Sequence, residues 1–245
     1  MNRSVFMAVL LVLSVLAIWE AACRYGDIAK YILPAPSQVF ITAVGQAPLL
    51  ASHAIVTASE IAGGILLALA VAVPLATAMY AKPGLEKALA PFLVASQAVP
   101  VFAVAPLLVV WFGYGMASKV LMAAVIIFFP ITVSLLEGYK QCDSAYRTLF
   151  RLMGAGFWQS LRHLYWPWAL PQFFAGLKVG VSVATIGAVI GEWLGAQQGL
   201  GYLMIHANAR LKVDLVFAAI LWLSMMGLGL WHLVGWLERR VITWR

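Results

Sequence analysis

Three charged residues stand where this sequence is otherwise apolar: Glu60, Lys178 and Glu192. A charge at the centre of a membrane helix costs about 2.5–3.5 kcal/mol on insertion scales, so such side chains usually face protein or water. Glu60 can line a water-filled path, or bond to the Thr57 hydroxyl one helical turn earlier. Glu192 can gate such a path or anchor a loop. Lys178 can extend its aliphatic stem so that its charge reaches the membrane surface.

The other reactive residue types do not converge on a catalytic pattern. Four histidines lie far apart, and two cysteines are too few for a disulfide scaffold or a zinc site. The sequence shows no metal-ligand spacing, no phosphate-binding loop and no Ser/His/Asp constellation. We therefore expect no metal and no cofactor, and an enzyme is disfavoured. The residues concerned are His53, His163, His206, His232, Cys23 and Cys142.

The composition predicts an integral membrane protein. Of 245 residues, 64% are hydrophobic and 10% are charged, with a mean hydropathy of +0.94. A soluble domain has about 45–50% apolar and about 25% charged residues. The net charge of +7 is therefore interpreted first as a sign of membrane topology rather than of nucleic-acid binding.

Apolar runs of about 20 residues can cross a bilayer as helices. They predict one all-α domain over residues 1–245 with six transmembrane helices. The spans are 4–23, 53–81, 85–112, 117–138, 171–195 and 214–238. The first run also resembles a lipoprotein signal ending at Cys23, but Glu20 and the five later spans favour a retained helix.

The basic residues predict the orientation, because they concentrate on the cytoplasmic side of a membrane. One set of alternating loops holds ten of them, which places both termini in the cytoplasm. The other set, predicted to be outer, holds Arg24, Lys30, Lys119, Arg210 and Lys212. Two short helices are predicted on that outer side, at 37–50 and after Gly201.

The cytoplasmic segment 143–168 is basic and aromatic. Thr148–Leu152 and Phe157–Tyr165 are helical in pattern and are separated by glycines. We expect Pro167 and Pro171 to end this second helix and to begin the next span. A surface loop held to anionic lipid by arginines would explain the same residues.

Gly154, Pro167 thirteen residues later and "ALP" at 169–171 resemble the signature loop of permeases of binding-protein-dependent ABC importers. "YILPAPSQVF" and "GEWLGAQQGLGYLM" resemble the nitrate, sulfonate and taurine branch. "AVPVFAVAPLLVVWFG" and "GAVIGEWLGA" lean toward permeases for thiamine-precursor pyrimidines such as hydroxymethylpyrimidine. The Glu-Ala-Ala of the loop is replaced by Thr148-Leu149-Phe150, which puts a polar contact of that glutamate in doubt.

The resemblance implies a homodimer in the bacterial inner membrane, embedded in membrane lipid. Its partners would be an ATP-binding cassette ATPase, which would hydrolyse the ATP, and a periplasmic or lipid-anchored solute-binding protein. Segment 143–168 would contain a coupling helix between spans four and five that docks into the ATPase. The docking residues would be Leu149, Phe150, Arg151, Leu152, Met153, Gly154, Ala155, Phe157 and Pro167.

Small residues in span five and prolines in span three are the features that could let the spans move against one another when the ATPase displaces the coupling helix. Small residues recur on span five and let helices approach closely, in either sliding or static contacts. Prolines in span three free backbone carbonyls, which either face a water-filled path or mark a kink. The packing candidates are Gly176, Gly180, Gly187 and Gly191, and the path candidates are Glu60, Gln97, Pro100, Pro106, Ser182, Thr185 and Glu192.

A self-contained channel or secondary transporter is the alternative function. Inverted internal repeats would favour it, and the sequence shows none.

Overall fold

The computed structural model describes residues 3–26 and 28–244, and these residues form helices joined by turns. This confirms the all-α prediction. The elements are α1 (Arg3–Tyr25), α2 (Pro36–Gly45), α3 (Ala47–Ala81), α4 (Pro83–Ala98), α5 (Val101–Phe112), α6 (Met116–Lys140), α7 (Ser144–Leu152), α8 (Phe157–Ser160), a π-helical turn (Leu161–Tyr165), α9 (Trp166–Trp193), α10 (Leu200–Ala209) and α11 (Val213–Val241).

Several of these helices are suited to a bilayer. Among the described residues, four stretches are long and apolar enough to cross: α3, α6, Phe157–Trp193 and α11. The pair α4 and α5 adds a fifth if it is one broken span, since its halves meet at a 99° bend. Pro100 occupies the break, where it cannot donate a backbone hydrogen bond. The chain is therefore a multi-pass membrane protein.

The chain forms two compact units. Unit 1 comprises Met1–Thr57 and Gln197–Met225, and unit 2 comprises Ala58–Ala196 and Met226–Arg245. The helices α3 and α11 each contribute to both units.

In unit 2, α6 lies against α9 through glycines. A Cβ added at Gly176 would lie 2.6 Å from the carbonyl oxygen of Pro130, and one at Gly187 would lie 2.9 Å from the Cα of Ala123. The neighbouring core residues, among them Ile127, are fully buried. Gly180 and Gly191 likewise lie against α6. With little hydrophobic drive between helices in lipid, such close contact supplies the attraction.

One expectation about prolines is wrong. Pro167 and Pro171 do not separate a surface helix from the next span, because the helix continues from Phe157 to Trp193. The turn Leu161–Tyr165 is π-helical, and the N–H of Trp166 reaches the carbonyl of Leu161 five residues back. Pro167 then occupies the first turn of α9, where its missing donor is tolerated.

The outer helix predicted at 37–50 is shorter in the structure. Helix α2 ends at Gly45, and α3 begins at Ala47. The N–H of Gln46 donates to the carbonyl of Thr42, which closes α2 before the chain turns. The helix expected after Gly201 is present as α10.

Candidate functional site

The α7 helix begins at a well-formed cap. The side chain of Asp143 accepts a hydrogen bond from the N–H of Ala145 at 2.9 Å. This satisfies one of the free donors at the helix start and places a negative charge at the positive end of the helix dipole. The start of α7 is therefore fixed by its own sequence.

A glycine ends α7. Gly154 has φ 72°, a left-handed conformation that a side chain disfavours. The N–H of Ala155 donates to the carbonyl of Phe150 at 3.0 Å, closing the helix end as a Schellman-type turn does. Gly154 therefore serves to reverse the chain after α7.

The end of α7 exposes its apolar side chains. Leu149 is 50% exposed, Leu152 81% and Met153 72%. Arg151 stands exposed on the same helix. In water, so large an apolar surface typically marks a site of contact with protein or membrane.

The base of segment 143–168 is anchored to the spans. The indole N–H of Trp168 donates to the carbonyl of Gln141 at 3.1 Å, and the Gln172 amide donates to the Gln141 side chain at 3.1 Å. The Arg147 guanidinium donates to the backbone carbonyls of Tyr139 and Lys140 at the end of α6. Arg147 therefore joins α7 to α6, and the bonds of Gln141 join the end of α6 to the start of α9. Of the predicted docking residues, Phe157 is exposed, and Phe150, Ala155 and Pro167 are half-buried.

A second cluster of functional groups is buried in unit 2. Lys119 Nζ lies 3.3 Å from Glu60 Oε1, and Glu192 interacts electrostatically with Glu60. All three residues are buried: Lys119 is 8% exposed, Glu60 0% and Glu192 1%. The Glu60 carboxyl group therefore has an ammonium group and a second carboxyl group as neighbours, where little water reaches it.

Lys119 is the residue of this cluster that the sequence did not single out. It lies within the predicted span 117–138, in the first turn of α6, and is buried. A cation near a helix N-terminus is disfavoured by the helix dipole. That position was the one sequence signal that a carboxylate partner would be needed.

Lys178 also has partners within the protein. Its ammonium group pairs with the carboxylate of Glu238 and lies 5.6 Å from the centroid of the Trp231 ring. An ion pair therefore joins α9 to the C-terminal part of α11.

The remaining path candidates are spread over α4, α5 and α9. Gln97 lines an apolar groove of about 540 Å³ between α3, α4, α5 and α6. Pro100 and Pro106 are exposed. The Ser182 hydroxyl donates to the carbonyl of Lys178 at 2.7 Å, and Thr185 lies beside Gly227 of α11. The structure thus brings Glu60 and Glu192 together but gathers the other candidates into no single site.

The sequence matches a known family over most of its length. Residues 61–243 match the family described as "binding-protein-dependent transport system inner membrane component". This range contains segment 143–168 and, of the buried cluster, Lys119 and Glu192, while Glu60 lies one residue before it.

Individual proteins are similar over nearly the whole chain. It is 44% identical to a probable ABC transporter permease protein of Haemophilus influenzae, and the match covers 93% of each of the two chains. It is 37% identical over 95% to the formylaminopyrimidine transport permease protein ThiX of Halalkalibacterium halodurans, with 93% covered. It is 39% identical over 94% to the riboflavin transport system permease protein RibX of Chloroflexus aurantiacus, with 86% covered.

These matches confirm the family inferred from the sequence. The chain belongs to the binding-protein-dependent transport system inner membrane components, which are the permease subunits of ABC importers.

Proposed function

We propose that this permease works as a homodimer in the bacterial inner membrane, with six spans and both termini in the cytoplasm. An ATPase subunit docks on α7 from the cytoplasmic side. A periplasmic or lipid-anchored solute-binding protein delivers the solute from the other side. The chain itself does no chemistry, and the ATP is hydrolysed by the ATPase subunit.

The exposed apolar end of α7 is the observation that carries the proposal. Leu152 and Met153 lie at the end of a nine-residue helix, too short to cross a bilayer. Helices of this kind bind in grooves of partner proteins, with apolar side chains as anchors. The bonds from the Arg147 guanidinium to the carbonyls at the end of α6 then join α7 to α6, and the contact between the Tyr146 and Trp168 rings joins α7 to α9.

Movement would follow from this link. Closure of two ATPase subunits around ATP would displace α7 in each permease subunit. Because α8, the π-helical turn and α9 form one continuous helix of 37 residues, the displacement would be transmitted along it. The spans would change between inward-open and outward-open states as rigid bodies.

The names of two relatives support a class of solute. One transports formylaminopyrimidine and the other riboflavin, and both solutes contain flat nitrogen heterocycles. We propose a small nitrogen heterocycle for this permease, with a thiamine-precursor pyrimidine as the first candidate. In such a system the binding protein largely selects the solute, which limits what this chain can specify.

Co-purification tests the docking. A tagged permease is isolated in mild detergent, and the amount of ATP-hydrolysing subunit that accompanies it is measured. The wild-type protein should retain the subunit in stoichiometric amount, and Leu152→Asp plus Met153→Asp should lose it. Ser144→Asp plus Thr148→Asp is the matched control, since it adds the same charge to exposed polar positions of α7.

Retention of the ATPase by both double variants would refute docking through the apolar end of α7. Recovery of the wild-type permease alone, still moving solute without ATP, would favour the channel or secondary transporter instead.

A further inference from the structure

A polar cavity of about 450 Å³ lies within unit 1. Its walls come from α2, the start of α3, α10 and the start of α11. Seven of the lining residues carry polar or charged groups: Thr42, Gln46, Tyr202, His206, Arg210, Lys212 and Asp214. None of these groups belongs to the α7 segment or to the buried cluster of unit 2.

The charges of this cavity do not balance. The Asp214 carboxylate accepts a hydrogen bond from the Thr42 hydroxyl at 2.8 Å. Among the described residues, neither Arg210 nor Lys212 takes part in an ion pair. One carboxylate thus faces two unpaired cations, and the cavity is net positive.

These two cations are unusual for the outer side. Basic residues are depleted there, and the sequence places only five on it. The structure pairs Arg24 with Glu20 and buries Lys119 against Glu60. Three remain, and two of the three line this one cavity. Topology alone gives no reason for that concentration.

The backbone that presents the cations is held in place. Leu211, between them, has φ 56°, a left-handed conformation rare for a residue with a branched side chain. The N–H groups of Leu211 and Lys212 donate to the carbonyls of Asn208 and Ala207, each at 2.9 Å. These bonds close the C-terminus of α10 as a Schellman-type turn does, so the end of that helix fixes the backbone between the two cations.

The start of α10 is held in place as well. The N–H of Gly199 donates to the His53 ring at 3.0 Å, and the N–H of Leu200 donates to the Thr57 hydroxyl at 2.9 Å. The Tyr202 ring lies 4.2 Å from the His206 ring and 6.0 Å from the His53 ring, centroid to centroid. Both bonds attach the start of α10 to α3.

We infer that this cavity is the docking point for an acidic side chain of the solute-binding protein. The inference rests on the proposed function, which supplies that partner and the outer orientation. An arginine and a lysine on a fixed backbone suit a carboxylate, with which arginine can form two parallel hydrogen bonds. Unpaired positive charge on the approach side also speeds the encounter with a partner of opposite charge.

The test measures how the binding protein stimulates ATP hydrolysis. The permease, assembled with its ATPase in vesicles of uncharged phosphatidylcholine, is titrated with the purified binding protein that sustains its uptake. Arg210→Glu and Lys212→Glu should each raise the half-stimulating concentration at least about tenfold at low salt. Hydrolysis without binding protein should be unchanged. Lys30→Glu, which reverses the third outer cation outside the cavity, is the matched control and should leave the titration as in wild type.

Salt provides a second readout. Added salt should weaken the wild-type response and flatten the difference between wild type and the two variants, because it screens exposed charges. If either charge reversal impairs folding, Arg210→Gln and Lys212→Gln replace them. These neutral variants should also raise the half-stimulating concentration, by a smaller factor.

Three results would overturn the inference. Equal titrations for wild type, Arg210→Glu and Lys212→Glu would exclude the cavity as the docking point while leaving the proposed function intact. An effect of the variants that appears only in vesicles containing phosphatidylglycerol would assign the cavity to a lipid phosphate. Failure of the binding protein to stimulate even the wild-type assembly would overturn the proposed function itself, and this inference with it.

Discussion

The α6–α9 contact and the α7 helix lie in the same unit but differ in how they treat apolar side chains: the first buries them and the second exposes them. Along α6 and α9, glycines bring the backbones together and the apolar side chains between them are buried. At the end of α7, Leu152 and Met153 are mostly exposed, although both helix ends are well formed. The first region is complete within the chain. The second has a fixed shape but lacks a partner, which is what a docking element requires.

The largest effect should come from filling the α6–α9 contact. Gly176→Leu would place side-chain atoms against the Pro130 carbonyl and Ser134, which cannot withdraw without moving α6. We expect a loss of at least about 3 kcal/mol in stability, the upper range for overpacking. The apparent unfolding temperature of the purified protein in detergent measures it. Gly229→Leu, at a helical glycine with open space around it, is the control and should change little.

The second-largest loss of stability is expected when Lys119, the cation of the buried cluster, is removed. Lys119→Met would leave Glu60 and Glu192 together without a positive partner, and breaking a buried ion pair in this way costs about 3–5 kcal/mol. Glu192→Gln removes one of two like charges and keeps a polar group, so it should stay within about 1 kcal/mol. The same thermal measurement compares them. Equal losses would contradict a cluster in which Lys119 compensates the charge of Glu60 beside Glu192.

A smaller effect is expected at the turn after α7. Gly154→Ala should cost about 1 kcal/mol, because the left-handed backbone disfavours a Cβ although no atom stands in its way. Amide hydrogen exchange in α7 should rise about fivefold, as a local opening penalty of that size implies. Gly156→Ala is the control, since that glycine has φ −69°. Matching exchange rates in both variants would show that the conformation of Gly154 does not hold α7.

The smallest effect on stability is expected where the effect on function should be greatest. Leu152→Asp plus Met153→Asp changes side chains that contact little of the chain, so the unfolding temperature should correspond to a change within about 0.5 kcal/mol. A large loss of stability would mean that the α7 end packs within the protein, and the contrast with α6–α9 would disappear.

Much of this contrast could be predicted from the sequence because it depends on local signals. Apolar run length indicates the spans, and the glycines around Ala155 indicate the break after α7. The continuity of the helix through Pro167 was missed, since a π-helical turn depends on packing rather than on residue type. The burial of Lys119 was also missed. Its partner Glu60 is 59 positions away, too distant for any helical spacing to reveal.

The most direct test of the central claim is ATP-driven solute uptake through the assembled transporter, compared at equal amounts of folded permease. Leu152→Asp plus Met153→Asp should reduce uptake at least about tenfold, a change in coupling of about 1.4 kcal/mol or more. Ser144→Asp plus Thr148→Asp should transport as wild type does. Unchanged uptake in the Leu152→Asp plus Met153→Asp variant would contradict the claim that the exposed end of α7 receives the push from the ATPase.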